Sequence, residues 1–574
     1  MKEALVSLSL AKALVRQLVM SGVTHLVVSP GYRNSPLLLA AHREKELTVI
    51  TAVDERGAAF AALGIAKLKG APAAVMCTSG TAVANYFPAV MEAGEAGVPL
   101  VVITADRPLE LIGTGANQCT DQIKVFGNHV RHFAEINAPT ESFPGEEHAR
   151  YATGRAVARS LEPSPGPVHL NVRFREPFLP DAATQENLEP KERGPHENWK
   201  FISAASGPSK EQWDALELLF STANRPAILL GATSFAPATL RKIARFSKGS
   251  GIPVLAENAS GLRFGGEELP FLCPNPDLIL GAMADGTLEA PDLLFRIGPP
   301  LTGRGLGRLL KTTAIPQVAL DQWGYFQEPH LHPSILMEGG VDGWLDAFVR
   351  SHIQILDGAW RRRLLEAEEK IEAKLQGHFA EGIFTEWLFH RTLEEMLIPD
   401  SLLFLGNSMP IRDFNSAFPK SAKSLRVLSN RGLSGIDGLI ASAAGASLAH
   451  GKQTHVVLGD LSTLHDLSSL SLLSSLRDTL HLTLWVMNND GGEIFRMVQT
   501  AKAGGDPTWF TTPVPYELSA LAKAFYLSYG IVRSRKELEE TPPDAVNGPG
   551  VRIIEVLVDR EPSLALRQNF RPFA

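Results

Sequence analysis

Residues 453–460, QTHVVLGD, and 482–490, LTLWVMNND, are two apolar runs that each break off in polar residues. Their length and continuous apolar character are those of parallel strands buried on both faces. The first ends on Gly459-Asp460 and the second on Asn488-Asn489-Asp490, with Gly491 next. The stretch between them is long enough for a helix and a return strand. Loops at C-terminal strand ends are where open α/β sheets take ligands, and here they carry oxygen donors suited to a hard divalent cation. Asp460 offers a carboxylate and Asn489 an amide oxygen. Gly491 offers a backbone carbonyl, with no side chain to obstruct the turn. Helix N-termini after such loops favour phosphate. In the plainer alternative, Asp460 caps a helix and the asparagines form a turn.

The same strand–helix grammar recurs outward from this unit. Block 380–574 also holds SLLFLGNS (from Ser401), SLRVLSNRG (from Ser424) and VRIIEVLVD (from Val551). Block 1–180 holds THLVVSPG (from Thr24), LTVITAVDERG (from Leu47), PAAVMCTSG (from Pro72), PLVVITADRP (from Pro99) and PVHLNVRF (from Pro167). Block 200–356 holds RPAILLGA (from Arg225), GIPVLAEN (from Gly251), PDLLFRIG (from Pro291) and PQVALDQWG (from Pro316), with fewer polar residues at strand ends. A polar, proline-bearing linker is expected over 179–200, and a charged bridging helix over 359–375. The pattern predicts three doubly wound parallel-sheet α/β domains.

With 574 residues the chain is too long for one core. Its hydrophobic fraction of 44% and net charge of −7 argue for a globular protein without a nucleic-acid partner. Cys77, Cys119 and Cys273 are too few and too scattered for a disulfide framework. The first 20 residues read as an amphipathic helix, not a signal peptide. No run approaches the ~18 uninterrupted apolar residues of a membrane span. A cytoplasmic location is expected.

The spacing of Gly459-Asp460 and Asn488-Asn489 resembles the cofactor signature of thiamine-diphosphate enzymes. That resemblance gives Glu55, at the end of LTVITAVDERG, a catalytic role. A carboxylate beside the cofactor's pyrimidine ring exchanges a proton with a ring nitrogen. Seven motifs narrow the resemblance: SPGYRNSP (from Ser29), DERG (from Asp54), TSGTAVAN (from Thr78), TADRP (from Thr104), GANQ (from Gly115), SNRGLSGIDG (from Ser429) and NNDGGEIF (from Asn488). Together they resemble the menaquinone-biosynthesis synthases of 2-succinyl-5-enolpyruvyl-6-hydroxy-3-cyclohexene-1-carboxylate.

The resemblance implies thiamine diphosphate with Mg2+ or Mn2+ as cofactors, and 2-oxoglutarate and isochorismate as substrates. The transferase it implies decarboxylates the first and adds the succinyl-semialdehyde unit to the second. Asp460, Asn489 and Gly491 would hold the metal. Glu55, Ser79, Gly80, Asn407, Ser434, Gly435, Ile436, Gly459, Asp460, Leu461, Asn489, Gly491, Gly492 and Ile494 would meet the cofactor, Ile436 as the prop that keeps it bent. Both substrates are dicarboxylates, and arginine is the bidentate partner for carboxylate. Arg33, Arg107, Gln118 and Arg304 would hold isochorismate. Ser408, Arg412 and Arg431 would hold 2-oxoglutarate, and Phe495 would wall the pocket. A homodimer or homotetramer with interfacial active sites is implied.

Two residues depart from the family pattern. Tyr32 stands where serine is usual, and Gly305 interrupts a basic pair after Arg304, leaving Arg308 one helical turn on. Another thiamine-diphosphate decarboxylase or carboligase with a different acceptor is the alternative, though it leaves the arginine set unexplained. A cofactor-binding paralogue without turnover is disfavoured by the intact Glu55 and Asp460. A Rossmann dehydrogenase is disfavoured because no G-x-G-x-x-G follows the first strand.

Overall fold

Three parallel six-stranded sheets account for the strand pattern. The first contains β1 (His25–Val28), β2 (Thr48–Thr51), β3 (Ala73–Cys77), β4 (Leu100–Asp106), β5 (His132–Ile136) and β6 (Val168–Arg173), in the order β2-β1-β3-β4-β6-β5. The second contains β7 (Pro226–Leu230), β8 (Val254–Ala256), β9 (Leu272–Cys273), β10 (Leu293–Ile297), β11 (Gln317–Asp321) and β12 (Ser334–Glu338), in the order β12-β11-β10-β7-β8-β9. The third contains β13 (Ser401–Leu405), β14 (Leu425–Ser429), β15 (Thr454–Gly459), β16 (His481–Asn488), β17 (Ser528–Val532) and β18 (Gly550–Leu557), in the order β14-β13-β15-β16-β18-β17. The first and third sheets thus share one connectivity. This computed structural model describes residues 2–181, 199, 207–233, 235–264, 269–321, 327–332, 334–338, 340–497, 508–514 and 516–573. The expected linker over 179–200 lies almost wholly outside them.

The doubly wound α/β reading holds, with four strands more than the sequence suggested: β5, β9, β12 and β17. All four are edge strands. Central strands such as β3, β4, β6 and β7 are buried along their whole length. The pairing of Gly459 with Met487 brings the ends of β15 and β16 side by side, so Asp460 and Asn488-Asn489 leave the sheet together.

By compactness the chain forms two units. One comprises Met1–Ser203, Gly432–Gly451 and Asp466–Leu480, and the other Ala204–Arg431, Lys452–His465 and His481–Ala574. The first unit is built around a close helix pair. The helix Leu439–His450 is made of small and apolar residues, and every residue from Leu439 to Ser447 is buried. It lies against the helix Glu55–Lys69. A Cβ on Gly64 would fall 1.9 Å from the Ser442 carbonyl oxygen, and one on Gly445 would fall 2.0 Å from that of Ala61. Backbone meets backbone here, which only glycine allows.

In the second unit, the expected charged helix runs over Gly358–Phe379 and buries Trp360, Leu364, Ile371, Leu375 and Phe379. No described helix is long and apolar enough to cross a membrane. His390, fully buried on the helix Glu386–Met396, packs its ring against Phe414. Burial, with the nearby Arg567 charge, lowers its pKa to about 3. A depressed imidazole contributes stability that is complete above its unfolded pKa near 6.5 and is lost as pH falls. At pH 5 that loss is about 2 kcal/mol. His390→Leu is therefore expected to gain about 2 kcal/mol on the parent between pH 8 and pH 5. Urea midpoints at both pH values measure it, and an equal offset at both would show that the imidazole does not titrate.

Candidate active site

In the second unit, Asp460 opens the helix Asp460–His465 directly after β15 and is 3% exposed. Its Oδ2 accepts the Gly491 N–H at 2.7 Å and its Oδ1 the Leu461 N–H at 2.6 Å. Burial pushes the carboxyl up to about 6 against these bonds, so a cation would relieve a desolvated charge. Gly491 has φ +118°, and a Cβ there would sit 2.3 Å from the Thr511 carbonyl oxygen. The Asn489 Nδ2 donates to Glu386 Oε1 at 3.1 Å, leaving its carbonyl oxygen as the free side of the amide. A buried carboxylate, an oriented amide oxygen and a glycine carbonyl are donors that fit Mg2+ or Mn2+. Gly492 lies close over Leu461 and Phe495, since a Cβ on it would meet them at 3.4 and 2.9 Å. Ile494 and Phe495 share the short 3-10 helix Glu493–Arg496, and Phe495 is 39% exposed beside Phe510.

The same unit gathers the other expected arginines. Asn407 is buried, donates to the Asn430 carbonyl at 2.7 Å and accepts from Arg431 Nη1 at 2.9 Å. Ser408 caps the helix Met409–Ala417 with φ +68°, and its carbonyl accepts from Arg412. Burial and the neighbouring Arg304 charge lower the pKa of Arg412. Sequence reasoning missed Glu257, which follows β8. It is fully buried and accepts the N–H groups of Ala232 (3.1 Å), Thr302 (2.6 Å) and Gly303 (3.3 Å) and the Thr302 hydroxyl (3.0 Å). Burial raises it to about 7, while Arg431 works against the rise. Glu257 thereby fixes the loop that ends in Arg304. The sequence signal was present, a lone carboxylate at the end of GIPVLAEN.

Gly305 is explained locally. Its N–H donates to Asp277 Oδ1 at 2.5 Å, and a Cβ would lie 2.5 Å from the Asp277 carbonyl oxygen. Arg308 does not stand in for the interrupted basic pair. It is exposed and ion-paired with Asp285.

In the first unit, Glu55 is the first residue of its helix, four residues beyond β2. Asp54 before it caps that helix by accepting the Arg56 and Gly57 N–H groups. Asn85 Nδ2 donates to Glu55 Oε2 at 3.4 Å, while Arg56 turns to Asp466 at 3.6 Å. Past β3, the hydroxyl of buried Ser79 accepts from Arg107, and Gly80, at φ +83°, donates its N–H to Gln122 Oε1 at 3.0 Å. Arg33 and Arg107 are both buried. Arg33 Nη1 donates to the Phe174 carbonyl at 2.6 Å, and its guanidinium lies 4.6 Å over the Phe178 ring. Its Nε is buried without a hydrogen-bond partner among the described residues. Burial and the Arg107 charge lower the pKa of Arg33. Arg33 Nη2 also faces Glu176 Oε1 at 3.4 Å, which partly offsets the repulsion between the two guanidiniums. Tyr32, 70% exposed, sets its ring edge-on to Phe178 at 4.6 Å and buttresses the face on which Arg33 lies.

Gln118, exposed at φ +52°, lies beside Gly80. Ser434 (φ +60°), Gly435 and half-buried Ile436 follow a loop whose Gly432 and Leu433 N–H groups donate to buried Glu92 at 2.9 and 2.7 Å. Gln118, Ser408 and Ser434 hold positive φ without being glycine, as do other described residues such as Lys124 and Tyr526. Neither Glu92 nor Gln122 could be read from a motif, because each reaches its partner from a distant part of the chain.

Residues 8–125 match the family model for the thiamine pyrophosphate enzyme N-terminal TPP binding domain, and residues 414–556 that for the C-terminal TPP binding domain. The chain is 34% identical over 553 residues to the 2-succinyl-5-enolpyruvyl-6-hydroxy-3-cyclohexene-1-carboxylate synthase of Bacillus pumilus, covering 95% of this chain and 94% of that one. It is 35% identical to the synthase of the same name from Myxococcus xanthus, over 96% of this chain and 94% of the relative. For that of Halobacterium salinarum the identity is 35%, over 97% of each chain. With the cofactor signature, the paired arginines and this full-length likeness together, the chain belongs to the 2-succinyl-5-enolpyruvyl-6-hydroxy-3-cyclohexene-1-carboxylate synthase family of thiamine-diphosphate enzymes.

Proposed function

We propose that this chain decarboxylates 2-oxoglutarate and adds the resulting succinyl unit to isochorismate, in menaquinone biosynthesis in the cytoplasm. The relatives' shared name and the two thiamine-enzyme regions support the chemistry. What supports the dicarboxylate acceptor is the buried Arg33–Arg107 pair with its unspent donor. Bound thiamine diphosphate supplies the nucleophilic carbon and the electron sink for loss of carbon dioxide. Glu55 supplies and retrieves the proton at the pyrimidine ring nitrogen. Asp460, Asn489 and the Gly491 carbonyl would hold Mg2+ or Mn2+, and Ser79, Gly80, Asn407, Ser434, Gly435, Gly459, Leu461 and Gly492 would line the cofactor. Ile436 would be the apolar prop beside the cofactor, and Ile494 and Phe495 would wall the pocket. Arg33, Arg107, Gln118 and Arg304 bind isochorismate, while Ser408, Arg412 and Arg431 bind the carboxylates of 2-oxoglutarate. Domain 1–180 carries the pyrimidine side, 200–356 is the central domain, and 380–574 carries the diphosphate side. A homodimer or homotetramer brings the first and third domains of two chains to each active site.

Carbon dioxide release from 2-oxoglutarate, with thiamine diphosphate and Mg2+, is expected to rise strongly when isochorismate is added, with a carboligated product. Arg107→Gln should raise the KM for isochorismate about 10–100-fold, the cost of losing a charged hydrogen bond. It should leave release from 2-oxoglutarate alone unchanged. Release indifferent to isochorismate would overturn the acceptor and keep the cofactor.

A further inference from the structure

Asn489 is held from behind by a residue no motif marks. Glu386 Oε1 accepts from Asn489 Nδ2 at 3.1 Å and from Arg567 Nη2 at 3.0 Å. Arg567 also donates from Nε and Nη2 to the two oxygens of Asp413, at 2.9 and 2.6 Å. The Trp387 indole N–H donates to Asp413 at 2.9 Å. Glu386, Arg567 and Asp413 are at most 4% exposed. Burial opposes the charge on Arg567, but the two carboxylates hold its pKa above the usual value. Asp413 already matches Arg567 oxygen for nitrogen, so Glu386 is surplus to neutralising it. Glu386 Oε2 is buried with no hydrogen-bond partner among the described residues.

An ionised carboxylate can only accept, so the Asn489 amide must present its NH2 to Glu386 and keep its carbonyl oxygen on the other side. We propose that Glu386 is a positioning residue for the divalent-cation site. It fixes the Asn489 amide with its oxygen free, and it places a second negative charge behind a donor set that has one carboxylate. This rests on Asp460, Asn489 and Gly491 being the cation donors. Groups that orient metal ligands typically matter 10–100-fold in metal affinity.

The test is titration of the full-length chain with Mn2+ at saturating thiamine diphosphate, free Mn2+ being read by electron paramagnetic resonance. Glu386→Gln and Glu386→Ala are expected to weaken Mn2+ binding about 10–100-fold. Gln is isosteric and keeps the test alive if the Ala variant does not fold. Asn489→Ala is the control for the underlying reading. If it weakens binding while both Glu386 variants stay within a factor of two of the parent, the proposal is overturned. If Asn489→Ala also changes nothing, the donor assignment itself fails. A residue that served only Arg567 would lower the unfolding temperature and leave Mn2+ affinity unmoved.

Discussion

Glu55→Gln is expected to lower turnover about 10²–10⁴-fold, the usual worth of a positioned general acid–base group. The substitution removes one ionisable oxygen and almost nothing else. Asp54 caps the helix Glu55–Lys69 with its own carboxylate, so the helix keeps its start. Gln can still accept from Asn85 at the position of Glu55 Oε2. The proposed metal donors lie on other residues, so Mn2+ affinity at saturating thiamine diphosphate should match the parent. Carbon dioxide release from 2-oxoglutarate measures the loss. A deficit of less than tenfold would mean that another group moves the proton.

Gly64→Ala is expected to cost the first unit about 3 kcal/mol or more, as overpacking against atoms that cannot swing aside. The added methyl would lie 1.9 Å from the Ser442 carbonyl oxygen and 2.7 Å from its carbon. Both atoms belong to the backbone of the buried stretch Leu439–Ser447, so relief requires the two helices to separate. Gly377→Ala is the matched control. It lies inside the helix Gly358–Phe379, where an added methyl would meet nothing within 4 Å, and should gain up to about 1 kcal/mol in helix propensity. Urea unfolding of both variants reads the contrast. Equal behaviour at the two positions would contradict the close crossing.

How far the fold could be read from sequence follows from where each strand sits. A central parallel strand is covered on both faces and becomes an uninterrupted apolar run, as in AAVMC of β3 or PAILL of β7. An edge strand has a neighbour on one side and tolerates charge. HFAEI of β5 has one buried residue at its end, and SYGIV of β17 likewise. Leu272–Cys273 of β9 is too short to register as a run. These strands escaped because their physics leaves little pattern to find.

The candidate site divides on similar lines. The residues proposed to face a ligand sit in glycine-bearing loops at strand ends, so Asp460, Asn489, Glu55 and the arginines stand out by position. Residues that hold those loops need only reach them in space. Glu92 binds Gly432 and Leu433 from 340 and 341 residues upstream, and Glu386 binds Asn489 from 103 residues upstream. Glu257 was legible as a carboxylate at a strand end, but its four donors were not. Arg308 shows the converse, a basic residue with the right spacing whose partner, Asp285, draws it elsewhere.

The helix pair in the first unit also sets an order of events during synthesis. Residues 55–69 leave the ribosome roughly 370 residues before Leu439–His450, a wait of about 20–75 s at ordinary elongation rates. Throughout that interval the face around Ala61 and Gly64 has no covering helix, and the nascent chain carries a bare seam of small apolar residues. The seam on the helix Glu55–Lys69 is thus made long before its cover, and its closure waits on translation of the helix Leu439–His450.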